Sequence, residues 1–489
     1  MNQRPSRSRR SARALALASA LVAVGCSSAA TDPPGPGAGG LYRGGTRLKV
    51  RVMTADGDAK AFQGLHDATL DVDCLPGKAA DGSLRCIPSG GLVAYSDAQC
   101  TQPVVVKGGA GCGTVSKFAA AQPKGGCGEV EVYEVGADVP GTAAFTGGPG
   151  KCFPLPAANV PGLAAATRVD PSRLAAFTEA DVAAGPVTLK VVNSADGASV
   201  VLGTTITATG EACTARPPLN EPQGAPACFP HGSSADRDAG AFADAACATP
   251  VASTPAADTC RRAPVKSATL FVATGDACRG YREEFYALGE ETSAGFMKVG
   301  GTCQPAVPGD PSAPAYKYFK LGAKLDLAAA APAAQRATLG TGRLKVTQYT
   351  VGGTVVSEDT GGFVDGETSC SSRPFADGVL RCVPEVLVTR GGDQPVFGDA
   401  ACTKRVYRSN ASACATTAPR YLVEESDPCG KVGKVYALGA PFSGTQAYFG
   451  DPNDAKVCIP FPVADAKLYE AGAEVAPDTA FPRLTTRLE

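Results

Sequence analysis

The stretch AADGSLRC at residues 79–86 returns as FADGVLRC at residues 375–382. Each copy places an Asp-Gly pair just before Leu and a cysteine. An Asp-Gly pair between short apolar segments is typical of a β-hairpin. The same hairpin and the same cysteine in two distant parts of the chain predict that the protein is built from repeated modules.

The cysteines follow the same repeat. Of the 19 cysteines, all but Cys26 fall into sets of six, spaced by 12, 14, 12, 15 and 25 residues in the first set and by 12, 20, 12, 15 and 29 in the third. The sets are Cys74, Cys86, Cys100, Cys112, Cys127 and Cys152; Cys213, Cys228, Cys247, Cys260, Cys278 and Cys303; and Cys370, Cys382, Cys402, Cys414, Cys429 and Cys458.

Other motifs keep the register of the cysteines. SDAQCTQPV at 96–104 returns as ADAACATPV at 243–251 and GDAACTKRV at 398–406, and VYEVG returns as FYALG and VYALG. We therefore predict tandem modules at residues 43–180, 181–332 and 333–489. The alanine-rich residues 325–340 are interpreted as a linker, because Pro332 interrupts them.

The start of the chain has the order of an export signal. Arginines precede a short apolar run, which ends in LVAVGC at Cys26. This ending resembles the lipobox of bacterial lipoproteins, so we expect a signal peptide at 1–25, a lipidated Cys26 and a flexible tether over 26–42. Ser27 resembles the sorting residue of outer-membrane lipoproteins, which predicts an extracytoplasmic protein at the outer membrane or cell surface. The alternative is an ordinary signal peptide cleaved nearby.

An even number of cysteines per module in an exported chain predicts disulfide bonds. Zinc sites usually pair their cysteines closely, whereas the smallest spacing here is 12 residues and the histidines are His66 and His231. We expect no metal and no cofactor. Six cysteines allow fifteen pairings, and we expect the sequential one, beginning with Cys74–Cys86.

Short segments rich in Val, Leu, Tyr and Phe lie between Gly, Pro and Asp, and they are typical of strands. Asp81-Gly82 and Asp377-Gly378 suit type I′ turns, in which both central residues have positive φ. We predict an all-β fold of disulfide-rich β modules assembled as one β-propeller of about six blades. The alternative is separate β-sandwich or barrel domains.

The charge balance argues against nucleic acid as a partner. The chain has 46 basic and 47 acidic residues, a net charge of −1, and this balance gives no field that attracts nucleic acid or an anionic membrane surface. We therefore expect the protein to contact the membrane through its lipid anchor.

The motifs D-x-x-C, A-D-G-x-x-R-C-x-P, D-A-x-C-x-x-P and V-Y-x-L-G resemble those of uncharacterised cysteine-rich tandem-repeat lipoproteins of myxobacteria. The resemblance covers about residues 45–480. It implies no catalytic residue, because that group has no assigned activity. Members often carry an aromatic-Asp pair before the first cysteine; here the pairs are His66-Asp67 and Val364-Asp365.

Few residues are candidates for catalysis. His66 and His231 occupy non-equivalent positions, and no G-x-S-x-G motif occurs. We expect the recurrent aspartates to cap turns, with calcium binding as the alternative; they are Asp81, Asp97, Asp244, Asp377 and Asp399. The sequence thus predicts a non-enzymatic scaffold that binds protein or polysaccharide. The alternative is an extracellular, glycan-directed hydrolase with paired carboxylates on a propeller face.

Overall fold

The computed structural model describes residues 40–489 except 108–115, 122–128, 142, 149–150, 157–159, 161, 220, 222–223, 238–239, 256–264, 275–279, 300, 306–315, 367, 385–387, 391–394, 409–418, 426–430, 452–453 and 464–466. The described chain is nearly all strand, with two four-residue α-helices and a short 3-10 helix. The predicted all-β fold is therefore confirmed.

Module 1 provides the first strands. They are β1 (Tyr42–Arg43), β2 (Leu48–Thr54), β3 (Lys60–Asp67), β4 (Val72–Lys78), β5 (Leu84–Pro88), β6 (Gly91–Tyr95), β7 (Pro103–Val106), β8 (Phe118–Ala120), β9 (Val132–Val139), β10 (Phe145–Gly148), β11 (Lys151–Pro154) and β12 (Leu163–Arg168). A 3-10 helix at Pro171–Arg173 follows.

Module 2 repeats this order. Its strands are β13 (Phe177–Ala184), β14 (Val187–Ser194), β15 (Ser199–Ile206), β16 (Ala212–Arg216), β17 (Ala227–Pro230), β18 (Ser233–Asp236), β19 (Ala241–Phe242), β20 (Val251–Pro255), β21 (Ser267–Ala273), β22 (Tyr281–Thr292), β23 (Phe296–Val299), β24 (Thr302–Pro305) and β25 (Tyr316–Lys324), followed by α1 (Leu327–Ala330). The module limit predicted after residue 180 falls inside β13, which pairs along its whole length with β14.

Module 3 completes the chain. Its elements are β26 (Ala334–Leu339), β27 (Leu344–Val351), β28 (Thr354–Asp365), β29 (Thr368–Pro374), β30 (Leu380–Pro384), β31 (Val388–Arg390), β32 (Val396–Phe397), β33 (Arg405–Arg408), β34 (Tyr421–Glu425), β35 (Val432–Pro441), β36 (Gln446–Asp451), β37 (Asp454–Pro462), β38 (Leu468–Glu474), α2 (Pro477–Ala480) and β39 (Arg483–Leu488).

Each module consists of a meander and a barrel. We call the meanders ring sheets: ring sheet 1 contains β39 and β2–β5, ring sheet 2 contains β13–β17, and ring sheet 3 contains β26–β30. The next strands form an outer barrel, which in module 2 is closed in the order β18-β20-β25-β22-β21, with β18 parallel to β21. The parallel pairs β6–β8 and β31–β34 are the counterparts in modules 1 and 3.

The ring sheets are joined edge to edge. At each joint the amide of the second cysteine donates a hydrogen bond to the segment that begins the next ring sheet. The three bonds are Cys86 N to Ala175 O (2.9 Å), Cys228 N to Pro332 O (2.8 Å) and Cys382 N to Pro482 O (3.0 Å).

The C-terminal strand closes the ring. β39 pairs with β2 of module 1 on one side, where Thr54 lies opposite Thr485, and with β30 of module 3 on the other, where Leu380 lies opposite Leu484. The modules are therefore not separate domains on a string. Nor is the six-bladed propeller confirmed, because propeller blades are separate four-stranded sheets, whereas these ring sheets share edge hydrogen bonds.

Apolar cores lie between neighbouring ring sheets, and each contains a Cys-Cys bridge. Leu48 and Val200 belong to the core between ring sheets 1 and 2, and Leu344 and Leu484 to the core between ring sheets 3 and 1. Each fully buried side chain of this size contributes roughly 1.5–3 kcal/mol. We call the contacts between neighbouring ring sheets seams. These cores therefore stabilise the ring at its seams.

The sequential disulfide pairing is correct for the first two cysteines of each set and wrong for the third. The structure contains Cys74–Cys86, Cys213–Cys228 and Cys370–Cys382, but also Cys100–Cys152, Cys247–Cys303 and Cys402–Cys458. The reason is the hairpin β10–β11 and its counterparts, which bring the sixth cysteine to a Cα–Cα distance of 5.7 Å from Cys100, within disulfide range.

The remaining predicted disulfide cysteines and the lipidation residue lie outside the described residues; they are Cys26, Cys112, Cys127, Cys260, Cys278, Cys414 and Cys429. The six disulfides that the structure contains indicate an oxidising, extracytoplasmic environment. Within the described part of the chain, no helix is long and apolar enough to cross a membrane.

The hairpin at residues 79–86 and its counterpart at 375–382 form a different turn from the predicted type I′. Gly82 has φ +77 and Gly378 has φ +78, whereas neither Asp81 nor Asp377 has positive φ. The Gly82 amide donates to Ala79 O, and the Ala79 amide donates to Ser83 O. One left-handed glycine after a right-handed turn is the three-residue hairpin loop with a bulge.

Candidate functional site

The recurrent aspartates cap turns, as predicted. Asp244 accepts backbone hydrogen bonds from Ala248 (3.1 Å) and Thr249 (2.7 Å), and Asp97 and Asp399 accept the equivalent bonds in their modules. Backbone donation, above all from Ala248, lowers the pKa of the Asp244 carboxyl. These carboxylates accept hydrogen bonds from the loop that holds the third cysteine of each module.

The Asp of each aromatic-Asp pair fixes a seam. Asp67 is buried and accepts hydrogen bonds from Arg47 Nε (2.9 Å) and Nη2 (2.7 Å). The same Nη2 donates a hydrogen bond to Arg173 O (2.8 Å), in the segment that leads into β13. Arg343 binds Asp365 and the carbonyl at the end of α2 in the same way. The pair is therefore structural: it ties the third strand of a ring sheet to the segment that begins the next ring sheet.

His66 lies in a carboxylate environment rather than beside a nucleophile. Its Nδ1 is 2.9 Å from Asp73 Oδ1, and its Nε2 is 3.5 Å from Asp71 Oδ1. Arg51 also contacts Asp73, at 2.7 Å. Over the described residues, no group of three or more His, Cys, Asp or Glu side chains is placed to hold a metal ion.

The V-Y-x-x-G motif packs its tyrosine on the wall of each outer barrel. In every module the phenol donates a hydrogen bond to a glutamate. Burial raises the pKa of Tyr133 and Tyr286, and the hydrogen bond to the glutamate is the second cause of the increase. The pairs are Tyr133 with Glu131 (2.7 Å), Tyr286 with Glu284 (2.8 Å) and Tyr436 with Glu424 (3.4 Å).

The three modules converge on a cleft of about 550 Å³, which we call the central cleft. The third strand of each ring sheet lines it: β3, β15 and β28. Further lining comes from β1 and β16. Ser357 Oγ donates to Ala215 O (3.4 Å) and the Phe62 amide donates to Glu358 Oε2 (3.5 Å), so polar contacts between modules border the cleft.

A register shift occurs at the same place in each of these strands. It lies between Phe62 and Gly64 in β3, between Val201 and Gly203 in β15, and after Glu358 in β28. β-Bulges bend strands and re-aim side chains, often beside functional sites. The residues that precede the three shifts are therefore equivalent, and two are apolar while the third is a carboxylic acid.

Glu358 is the outlier of this set. Burial raises the pKa of its carboxyl, and the opposing hydrogen bonds come from neutral donors, Gln348 Nε2 (3.0 Å) and the Phe62 amide. Glu358 forms no ion pair within the described structure. A half-buried acid without a cationic partner is costly, which marks this position as a candidate functional residue.

Tyr42 and Phe62 form the aromatic wall of the central cleft. Their ring centroids are 4.8 Å apart and their planes differ by 21°. Burial raises the pKa of the Tyr42 phenol, and the charges of Glu358 and Glu489 add to the effect. The wall combines Phe62 of β3 with Tyr42 of β1, which pairs with Val200 of β15.

His231 and the disulfide cysteine Cys213 are the sequence-predicted residues that line the central cleft among the described residues. His231 Nε2 is hydrogen-bonded to Thr214 Oγ1, and the His231 amide donates a hydrogen bond to Ala212 O (2.7 Å).

Sequence reasoning missed Glu358. Aligning the three modules on β3, β15 and β28 would have revealed it as an acid at a position where the other modules carry Phe and Val.

A family model described as a family of unknown function (DUF7481) matches residues 40–190. The match covers module 1 and continues through β13 into β14, well under half of the chain. Comparison with curated proteins finds no match, and comparison with solved structures finds none either.

Proposed function

We propose that this protein is a lipid-anchored extracytoplasmic scaffold that binds protein or polysaccharide without catalysis. The supporting observation is a large exposed apolar side chain on the outer hairpin of each module. The outer hairpins β10–β11, β23–β24 and β36–β37 expose Phe153 (58 %), Met297 (42 %) and Ile459 (57 %). Single exposed apolar residues are common, but large ones on equivalent hairpins favour a contact surface.

The alternative, a glycan-directed hydrolase, has less support from the central cleft. Glycoside hydrolysis generally uses two carboxyl groups on either side of the scissile bond. Glu358 is the single carboxylate among the described residues that line the cleft. A binding role needs no second acid.

The test compares the full-length protein with the triple variant Phe153→Ser, Met297→Ser, Ile459→Ser. A glycan array and a pull-down from the culture medium should give partners that the wild type binds and the triple variant loses. Leu75→Ser is the matched control, because Leu75 is 51 % exposed but lies on ring strand β4. Equal binding by wild type and triple variant, or reproducible hydrolysis of a glycan, would contradict the proposal.

A further inference from the structure

The central cleft breaks the repeat at one position. Phe62, Val201 and Glu358 are equivalent, and each precedes the register shift of its strand. An apolar residue at position 358 would remove the cost of desolvating a carboxylate, as modules 1 and 2 illustrate. The acid therefore lowers stability at this position, which is the pattern expected of a residue that meets a ligand.

The ionisable groups that line the cleft indicate the sign of the ligand's charge. Among the described lining residues there is no Lys or Arg, and the ionisable groups are Glu358, His231 and Tyr42. Gln348 and the Phe62 amide donate hydrogen bonds to Glu358, and none of the described residues provides a counter-ion for its charge. A cation completes this arrangement, whereas an anion would be repelled and a neutral molecule would leave the charge unbalanced.

The side chains that form the walls of the cleft indicate the polarity of the remainder of the ligand. The Tyr42–Phe62 pair offers an aromatic surface beside the carboxylate, and Val200 and Val356 add aliphatic surface. Aromatic faces attract ammonium groups, with estimates from about 0.5 to 2 kcal/mol. The volume of about 550 Å³ lies in the range of small-molecule sites.

We propose that the central cleft binds a small organic amine, whose ammonium group pairs with Glu358 and whose apolar body packs against Tyr42 and Phe62. This inference goes beyond the scaffold function, because it uses none of the exposed hairpins. The triple hairpin variant should therefore keep the site.

The test uses the full-length protein in a mild detergent and three probes of one shape: phenethylamine, 2-phenylethanol and phenylacetate. Calorimetry should show binding of the amine, at least tenfold weaker binding of the alcohol, and none of the carboxylate. Because the probes share a phenyl group, the comparison removes the contribution of apolar burial and of partition into detergent.

Two variants test the role of Glu358. Glu358→Val installs the residue of module 2, so the ring should fold, melt at a higher temperature and bind the amine at least tenfold more weakly. Glu358→Gln keeps the shape and should lose affinity in the same way, while Glu474→Gln, at an exposed position, should bind as the wild type does. The proposal is overturned if the wild type does not bind the amine, if the alcohol binds equally well, or if either Glu358 variant retains the affinity.

Discussion

Replacing Leu484 by Ala tests the closure of the ring. Leu484 lies on β39, is 3 % exposed and packs with Met53 and Leu344 between modules 1 and 3. Buried Leu→Ala changes cost about 2–5 kcal/mol. Strands pair with β39 on both sides and limit collapse into the cavity, so we expect about 3 kcal/mol. Detachment of β39 should then become about a hundredfold more frequent.

Amide hydrogen exchange measures this detachment in both modules at once. The Val50 amide donates to Glu489 O (2.9 Å) and the Cys382 amide to Pro482 O (3.0 Å), so both should exchange faster in Leu484→Ala. Leu488→Ala is the matched control: the same change on the same strand, at a side chain that is 44 % exposed, should cost within about 0.5 kcal/mol. Equal effects of the two variants, or a protected Val50 in Leu484→Ala, would refute the reasoning.

Three further predictions concern the anchor, the cysteines and the acid limit of stability. Cys26→Ser should release the protein into the soluble fraction, and unchanged membrane fractionation would contradict lipidation. Mass spectrometry of the non-reduced protein should find no free thiols and should recover Cys100–Cys152; a bridge between modules would contradict the modular pattern. Arg381 holds the pKa of Asp377 at about 2, below the unfolded value of about 3.9, so this pair stabilises the fold above pH 4 and the contribution is lost between about pH 4 and 2. Asp377→Asn should flatten that decline in urea unfolding experiments, and an unchanged pH profile would count against the pair.

Local features were predictable because their causes are local. The pairing Cys74–Cys86 follows from a short hairpin, and the capping role of Asp97 follows from donors within five residues of it. The turn type was wrong because Asp-Gly serves two hairpin loops, and the bulged loop needs positive φ at Gly82 alone.

Long-range features could not be read from spacing. Cys100 meets Cys152 because an outer hairpin folds back over the barrel, which no local pattern specifies. The alanine-rich residues 325–340, interpreted as a linker, contain α1 and the edge strand β26 instead. Ala334 of that strand is buried in the seam between modules 2 and 3, a contact that compensates for the low β-propensity of alanine.

The closing strand also fixes when this protein can finish folding. Thr54 and Thr485 share a hydrogen bond across 431 positions of the chain, so the first ring sheet lacks its edge partner until Arg483–Leu488 has been synthesised and exported. Contacts this distant are slow to form and leave an open strand edge during the wait. A nonsense mutation just before residue 483 should therefore leave the edge of β2 unpaired and make the truncated chain prone to aggregation in the compartment where it folds.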